Sequence, residues 1–379
     1  MLGHVAVGTW SGGRFMRFGE PISDERLEAL LRPGRGIDTI ITADAYGAGE
    51  ADTLLGRALA GVPRSHYSLV GAVGHDFYEG EREGAKGFPR FTDPRLRGPD
   101  GYRDYLRMAV ERSLERCRVD SFELLLLHNP DRRGFESPEV WEALAQLRNE
   151  GLAGALGVAP GPANGFTLDL IGCFERYGEL IDWAMLILNP FEPWPAELAL
   201  DAAVRHGVRV ITRVVDYGGL FHDDVLPGHP FDSHDHRGFR PEGWVEAGRR
   251  RLEQIRPIAE RHGLTPLQLA CVWNLAHHAV ECVAPTLIQE TGPDAKPIER
   301  KREELAAVPA EPVLSDEEVV EIRAVGDNRG SMLLKGATPD HEGEERPDRW
   351  PVSAQQAELA SRWGIDPERD LRKADSARV

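Results

Sequence analysis

A chain of 379 residues that is 41% hydrophobic can bury a sizeable core, which excludes a disordered chain and a small disulfide scaffold. Its formal net charge of −17 argues against nucleic acid and anionic membrane as partners, because both are polyanions. Cys117, Cys173, Cys271 and Cys282 are widely spaced, form no CxxC pair, and fit a reduced, cytoplasmic compartment.

The opening residues, MLGHVAVGTW, lack the basic and apolar regions of a secretory signal, and no apolar run reaches membrane-spanning length. Short apolar runs at 69–73, 122–127, 155–158, 184–188 and 208–211 read as buried strands. Between them, 104–117 and 138–150 place apolar residues at three- and four-residue spacing, as helices do. Residues 222–244 are rich in His, Asp, Pro and Gly and read as a long loop. Thr265-Pro266 opens a helix with proline in its first turn, and Ser315 with Glu318 forms a capping box. Beyond about Asp327 the chain turns polar and is punctuated by Pro and Gly. Repeated strand-then-helix order implies an α/β fold with a parallel sheet, and composition leaves a closed barrel and a doubly wound sheet both open.

Several segments, in order, resemble signatures of the aldo-keto reductases. Val7-Gly8-Thr9-Trp10 resembles the opening LGxGTW strand, and Thr42-Ala43-Asp44-Ala45-Tyr46-Gly47 followed by Leu54-Leu55-Gly56-Arg57-Ala58-Leu59 resembles the DTAxxYG…LLGxAL block. Ser113-Leu114-Glu115-Arg116 through Leu125-Leu126-Leu127-His128 resembles SLxRL…DLxLLH, and residues 151–158 (GLAGALGV) resemble the GKIRxIGVS strand. The resemblance implies a (β/α)8 TIM barrel over residues 1–326 with a C-terminal extension, 327–379, placed to strap the barrel mouth. It also implies an active site at the C-terminal ends of the strands.

In that family a tyrosine protonates the carbonyl oxygen while NADPH delivers hydride. A lysine held by an aspartate lowers the tyrosine pKa, and a histidine orients the substrate. Tyr46 and His128 fall on the tyrosine and histidine positions, but Ile41 stands at the aspartate's and Ala72 at the lysine's. With no neighbouring cation, Tyr46 is expected to keep its ordinary pKa of about 10. Departures continue at the cofactor contacts. Ala159-Pro160 replaces the Ser-Asn pair, Met185 the glutamine and Arg213 the stacking aromatic, while Asn189 keeps its place. Pro285-Thr286-Leu287-Ile288 stands at the late phosphate loop. The implied outcome is loss of nicotinamide binding, with no cofactor-binding residues and NADPH unlikely.

The predicted strand ends nevertheless carry many ionisable groups, which points to a small-molecule site. Tyr46, His128, Asp44 and Arg213 are the acid–base candidates, and Trp10, Asn129, Asn189 and Glu192 the substrate contacts. His75, Asp216 and His222 are of the right type for a divalent metal, although no tight spacing joins them. Trp194 reads as core or as a substrate-stacking aromatic, and Lys335 as a lysine on a solvated turn or, if the tail folds over the mouth, as the missing cation. The expected function is therefore acid–base chemistry without hydride transfer, of lyase, isomerase or hydrolase type, on a hydroxy, carbonyl or sugar-like compound. The alternatives are an NADPH-dependent reductase with a rearranged site and a non-catalytic binding barrel. Oligomeric state has no signature in the sequence.

Overall fold

The computed structural model describes residues 2–83, 87–161, 167–240, 242–328 and 352–371. Eight parallel strands follow one another in chain order: β1 (Ala6–Gly8), β2 (Thr39–Ile41), β3 (Ser68–Val73), β4 (Phe122–His128), β5 (Ala153–Ala159), β6 (Trp183–Ile187), β7 (Arg209–Arg213) and β8 (Val280–Ala284). A parallel bridge between Val5 and Val283 and a 2.9 Å bond from Val283 N to His4 O join β8 to β1. That closure decides for the barrel over the doubly wound sheet.

The first half of the chain supplies helices α1 (Asp24–Leu31), α2 (Glu50–Ala58), α3 (Tyr102–Cys117), α4 (Arg132–Glu136), α5 (Pro138–Asn149) and α6 (Thr167–Tyr177). The second half supplies α7 (Glu197–Arg205), α8 (Trp244–Arg261), α9 (Pro266–Leu275), α10 (Ile298–Ala306), α11 (Asp316–Val325), α12 (Ala354–Arg362) and α13 (Pro367–Asp370). Thr265 and Ser315 both make the expected capping boxes, with Gln268 and Glu318. Helix α8 starts where the loop of 222–244 ends, and its apolar stripe of Leu252, Ile255, Ile258 and Ala259 is masked in the sequence by three consecutive arginines and Pro257. Among the described residues no helix is long and apolar enough to cross a membrane.

Side chains alternate across each strand with a period of two. Ile41, Ala43, Val70, Ala72, Leu124, Leu126, Met185, Ile211, Cys282 and Ala284 pack with Trp10 inside the barrel. Their neighbours Ile40, Leu69, Val73, Leu125, Leu127, Leu186, Val210 and Val283 pack outward under the helices. This alternation decides which polar residues reach the mouth.

The described part of the tail lies along α6, on the flank of the barrel. Gln356 donates to Asp169 (3.2 Å), and Arg362 and the Trp363 indole meet Glu175 at 2.6 and 2.8 Å. Trp194, in the β6–α7 loop, donates its indole N–H to Asp370 O (2.6 Å), and Asn328 bonds its backbone N–H and carbonyl. Trp194 is thus a buried anchor for the tail. Lys335 and the rest of residues 329–351 lie outside the described residues.

Candidate functional site

Tyr46, in the turn after β2, His128, the last residue of β4, and Arg213, the last residue of β7, gather at the C-terminal end of the barrel. Each is followed by a residue in the left-handed region: Gly47 at φ 59°, Asn129 at 47° and Val214 at 58°. Glycine and asparagine tolerate this, but a β-branched valine is strained there by about 1–3 kcal/mol. Val214 is held in place by the Asn189 amide, which donates to its carbonyl at 3.0 Å. Gly74 brings the end of β3 against β4, since a Cβ on it would lie 2.2 Å from the His128 carbonyl oxygen.

The rings of Tyr46 and His128 meet edge to face with centroids 5.7 Å apart, and His75 adds a third ring 5.1 Å from His128. Burial, then the charges of Arg213 and Arg90, push His128 down to about 3, so it is a neutral imidazole. Burial raises Tyr46 and the Arg213 charge opposes it. The expectation of a tyrosine without a cation, near its ordinary pKa, is corrected on both counts. Arg213 supplies the charge from β7 rather than β3, and burial outweighs it. Arg90, which donates from Nε to the Asn129 carbonyl (2.6 Å), was missed because its loop lies 39 residues from Asn129 in sequence.

His128 must lose its proton to be buried, which makes acid stability a test. The unfolded histidine binds a proton below pH 6.5 and the folded one only near 3. The stability it contributes is present above 6.5 and drains as pH falls towards 3. Relative to His128→Gln, the wild type should lose about 2–3 kcal/mol between pH 6.5 and 4.5, read from urea midpoints. Equal pH slopes for the two proteins would mean His128 is charged in the fold.

The other sequence candidates are placed differently. Asp44 follows the outward alternation of β2 and lies under α2 and α3, where both carboxylate oxygens are buried without a partner. Burial and the nearby Asp52 raise its pKa well above the usual carboxylate range, away from Tyr46's face. Asp52 itself accepts from Thr42 (2.8 Å) and Ser113 (2.7 Å). His75 donates from Nδ1 to Phe88 O (2.9 Å) and accepts at Nε2 from the Asn129 amide (3.0 Å), which occupies both ring nitrogens. Asn189 is buried with its amide on Glu192 (2.9 Å), and Glu192 pairs with Arg240 (3.1 Å). These two brace the loops after β6 and β7. Trp10 lies flat over Gly8, where a Cβ would stand 2.2 Å from its ring.

Asp216 and His222 converge on one backbone residue rather than on a metal. Asp216 accepts from Thr286 N (2.7 Å) and Gly219 N (2.8 Å), and His222 donates to Thr286 O (2.8 Å). Among the described residues no group of three or more His, Cys, Asp or Glu is arranged to hold a metal ion. His75, Asp216 and His222 are therefore not brought together.

Residues 4–326 match the model of the Aldo/keto reductase family. A D-threo-aldose 1-dehydrogenase from a Pseudomonas species is 28% identical over 174 residues, 41% of this chain and 52% of that one. The chain thus spans about half the length of this curated relative. Among solved structures, a glycerol dehydrogenase from Gluconobacter oxydans superposes with a TM-score of 0.65 at 23% identity, covering 90% of this chain and 96% of that one. An aldo/keto reductase from Klebsiella pneumoniae in complex with NADP and acetate gives 0.56 at 20% identity, covering 86% and 92%. These findings correct two expectations. The non-redox reading gives way to the reductase alternative, because the family and the named relatives are reductases and dehydrogenases. The expectation that NADPH is unlikely gives way with it, because a neighbour of the same fold holds NADP. With eight parallel strands closed into a barrel and the match running from residue 4 to residue 326, the chain belongs to the aldo/keto reductase family.

Proposed function

We propose that the protein is a nicotinamide-dependent oxidoreductase that interconverts a small aldehyde or ketone and its alcohol through a rearranged site. The observation that carries the reading is the meeting of Tyr46 and His128, rings 5.7 Å apart, beside the charge of Arg213. A bound NADPH would supply the hydride. What supports such a group is His128 Nδ1, a buried polar atom without a partner, beside the apolar inner cluster of Trp10, Ala72, Ala159, Met185 and Ala284.

The chain's own residues would handle the proton. Tyr46, kept protonated by burial, holds its phenolic hydrogen ready for the carbonyl oxygen. Neutral His128 can donate a hydrogen bond to the same oxygen without adding charge, and so orients it. Arg213 stabilises negative charge that develops on the oxygen or on the phenol, from a site with little water to screen it. Asp44, facing the helices, takes no part in this reading.

The test is a titration followed by an assay. NADPH should quench protein fluorescence saturably, in the micromolar range usual for enzyme ligands, and small aldehydes should drive its oxidation at 340 nm. No binding up to millimolar nucleotide, with no turnover of any carbonyl, overturns the reading.

A further inference from the structure

Among the described residues Arg213 has no carboxylate partner. Its side chain crosses from the end of β7 to the segment after β5, where Nη2 donates to the carbonyls of Pro160 (3.0 Å) and Gly161 (3.2 Å). Its Nε is buried with no hydrogen-bond partner. Among the described residues no carboxylate stands within ion-pair distance of it, and residues 162–166, Pro-Ala-Asn-Gly-Phe, contain none. Two arginines in the neighbouring loop behave differently. Arg237 pairs with Asp235 and Glu290, and Arg240 with Glu192.

A half-buried arginine whose described partners are carbonyl dipoles keeps its charge available to an incoming anion. The guanidinium is a planar fork suited to a carboxylate, and its unpartnered Nε–H is one tine of that fork. Its charge is felt by both Tyr46 and His128, so an anion on Arg213 stands next to the reacting groups.

We propose that the substrate is an acid: a small aldehyde or ketone whose carboxylate is received by Arg213 while its carbonyl lies toward Tyr46 and His128. The assignment rests on the oxidoreductase reading above. Arg213 is then the specificity-determining residue, and neutral carbonyl compounds of the same size are poor substrates.

The experiment compares 4-carboxybenzaldehyde with its methyl ester, which differ in charge and little in shape. With NADPH, wild-type kcat/KM should favour the acid by about 10²-fold, the range expected when a buried charged partner is made or lost. Arg213→Met should cut kcat/KM for the acid at least about 30-fold more than for the ester, mainly through KM, and Arg213→Lys should restore part of the preference. An acid-to-ester ratio unchanged in Arg213→Met overturns the proposal, and if NADPH affinity falls instead, the cation serves the cofactor's phosphates. If the wild type reduces neither compound, the oxidoreductase reading fails, and the anion site is read by calorimetry without nucleotide. Wild type binding the acid but not the ester, with Arg213→Met binding neither, keeps the anion site. Equal binding of acid by both proteins removes it.

Discussion

Tyr46→Phe should lower kcat for carbonyl reduction by about 10²–10⁴-fold, the usual contribution of a positioned general acid, while NADPH affinity stays nearly constant. The substitution removes one oxygen and keeps the ring that packs on the inner cluster and meets His128 edge to face. Stability therefore changes little, and the loss is specific to the proton. Burial keeps the phenol protonated, and the Arg213 charge opposes the rise that would weaken it as a proton donor. In the reductive direction the rate should not fall between pH 7 and 9, because the raised phenol keeps its proton there. If Tyr46→Phe retains most of the wild-type kcat, the proton comes from elsewhere, and His128→Gln becomes the deciding variant.

The largest loss of stability is expected at Arg237. Its side chain, Asp235 and Glu290 are each no more than 2% exposed, in the loops after β7 and β8. Asp235 also accepts from Gly19 N (2.9 Å), and Glu290 accepts from His229 (3.0 Å), so the cluster ties three segments together near the strand ends. Burial alone would raise Glu290, yet hydrogen bonds from His229 and Arg237 and the charge of Arg237 bring it down to about 2. Arg237→Met leaves two buried carboxylates facing each other, and should cost about 3–5 kcal/mol in urea unfolding at pH 7. The double variant with Glu290→Gln should recover part of that loss, because one of the two uncompensated charges is gone. A single-variant loss below about 1 kcal/mol would mean that water reaches the cluster. The sign of the pH dependence follows from Glu290. Its contribution is present above the unfolded carboxylate pKa of 4.5 and is lost as pH falls towards 2.

Five of the strands and two long helices were legible as runs and periods in the sequence, and they lie within a few residues of the observed elements. Strands β1 and β2, of three residues each, are too short to carry a period, and only β1 was legible, through family resemblance. The same resemblance located Tyr46 and His128. What it misjudged was the meaning of the departures around them. Ala72 and Ile41 remove a lysine and an aspartate in place, but a sequence does not say what fills the gap from another strand. Arg213, on β7, brings the cation over from the far side of the mouth. Asp44 went wrong for a different reason. It sits two residues before Tyr46, yet strand alternation turns it outward under α2 and α3. Glu192, Asn129 and Asp216 were read as open polar groups because their partners, Arg240, Arg90 and Thr286, are 39–70 residues away. Local order is determined by the sequence itself, since hydrophobic period and capping act over a few neighbours, while the barrel and the family were legible through the resemblance of its motifs. Which polar groups are paired, neutral or left charged was decided only by the tertiary structure, because desolvation and charge compensation depend on distance in space.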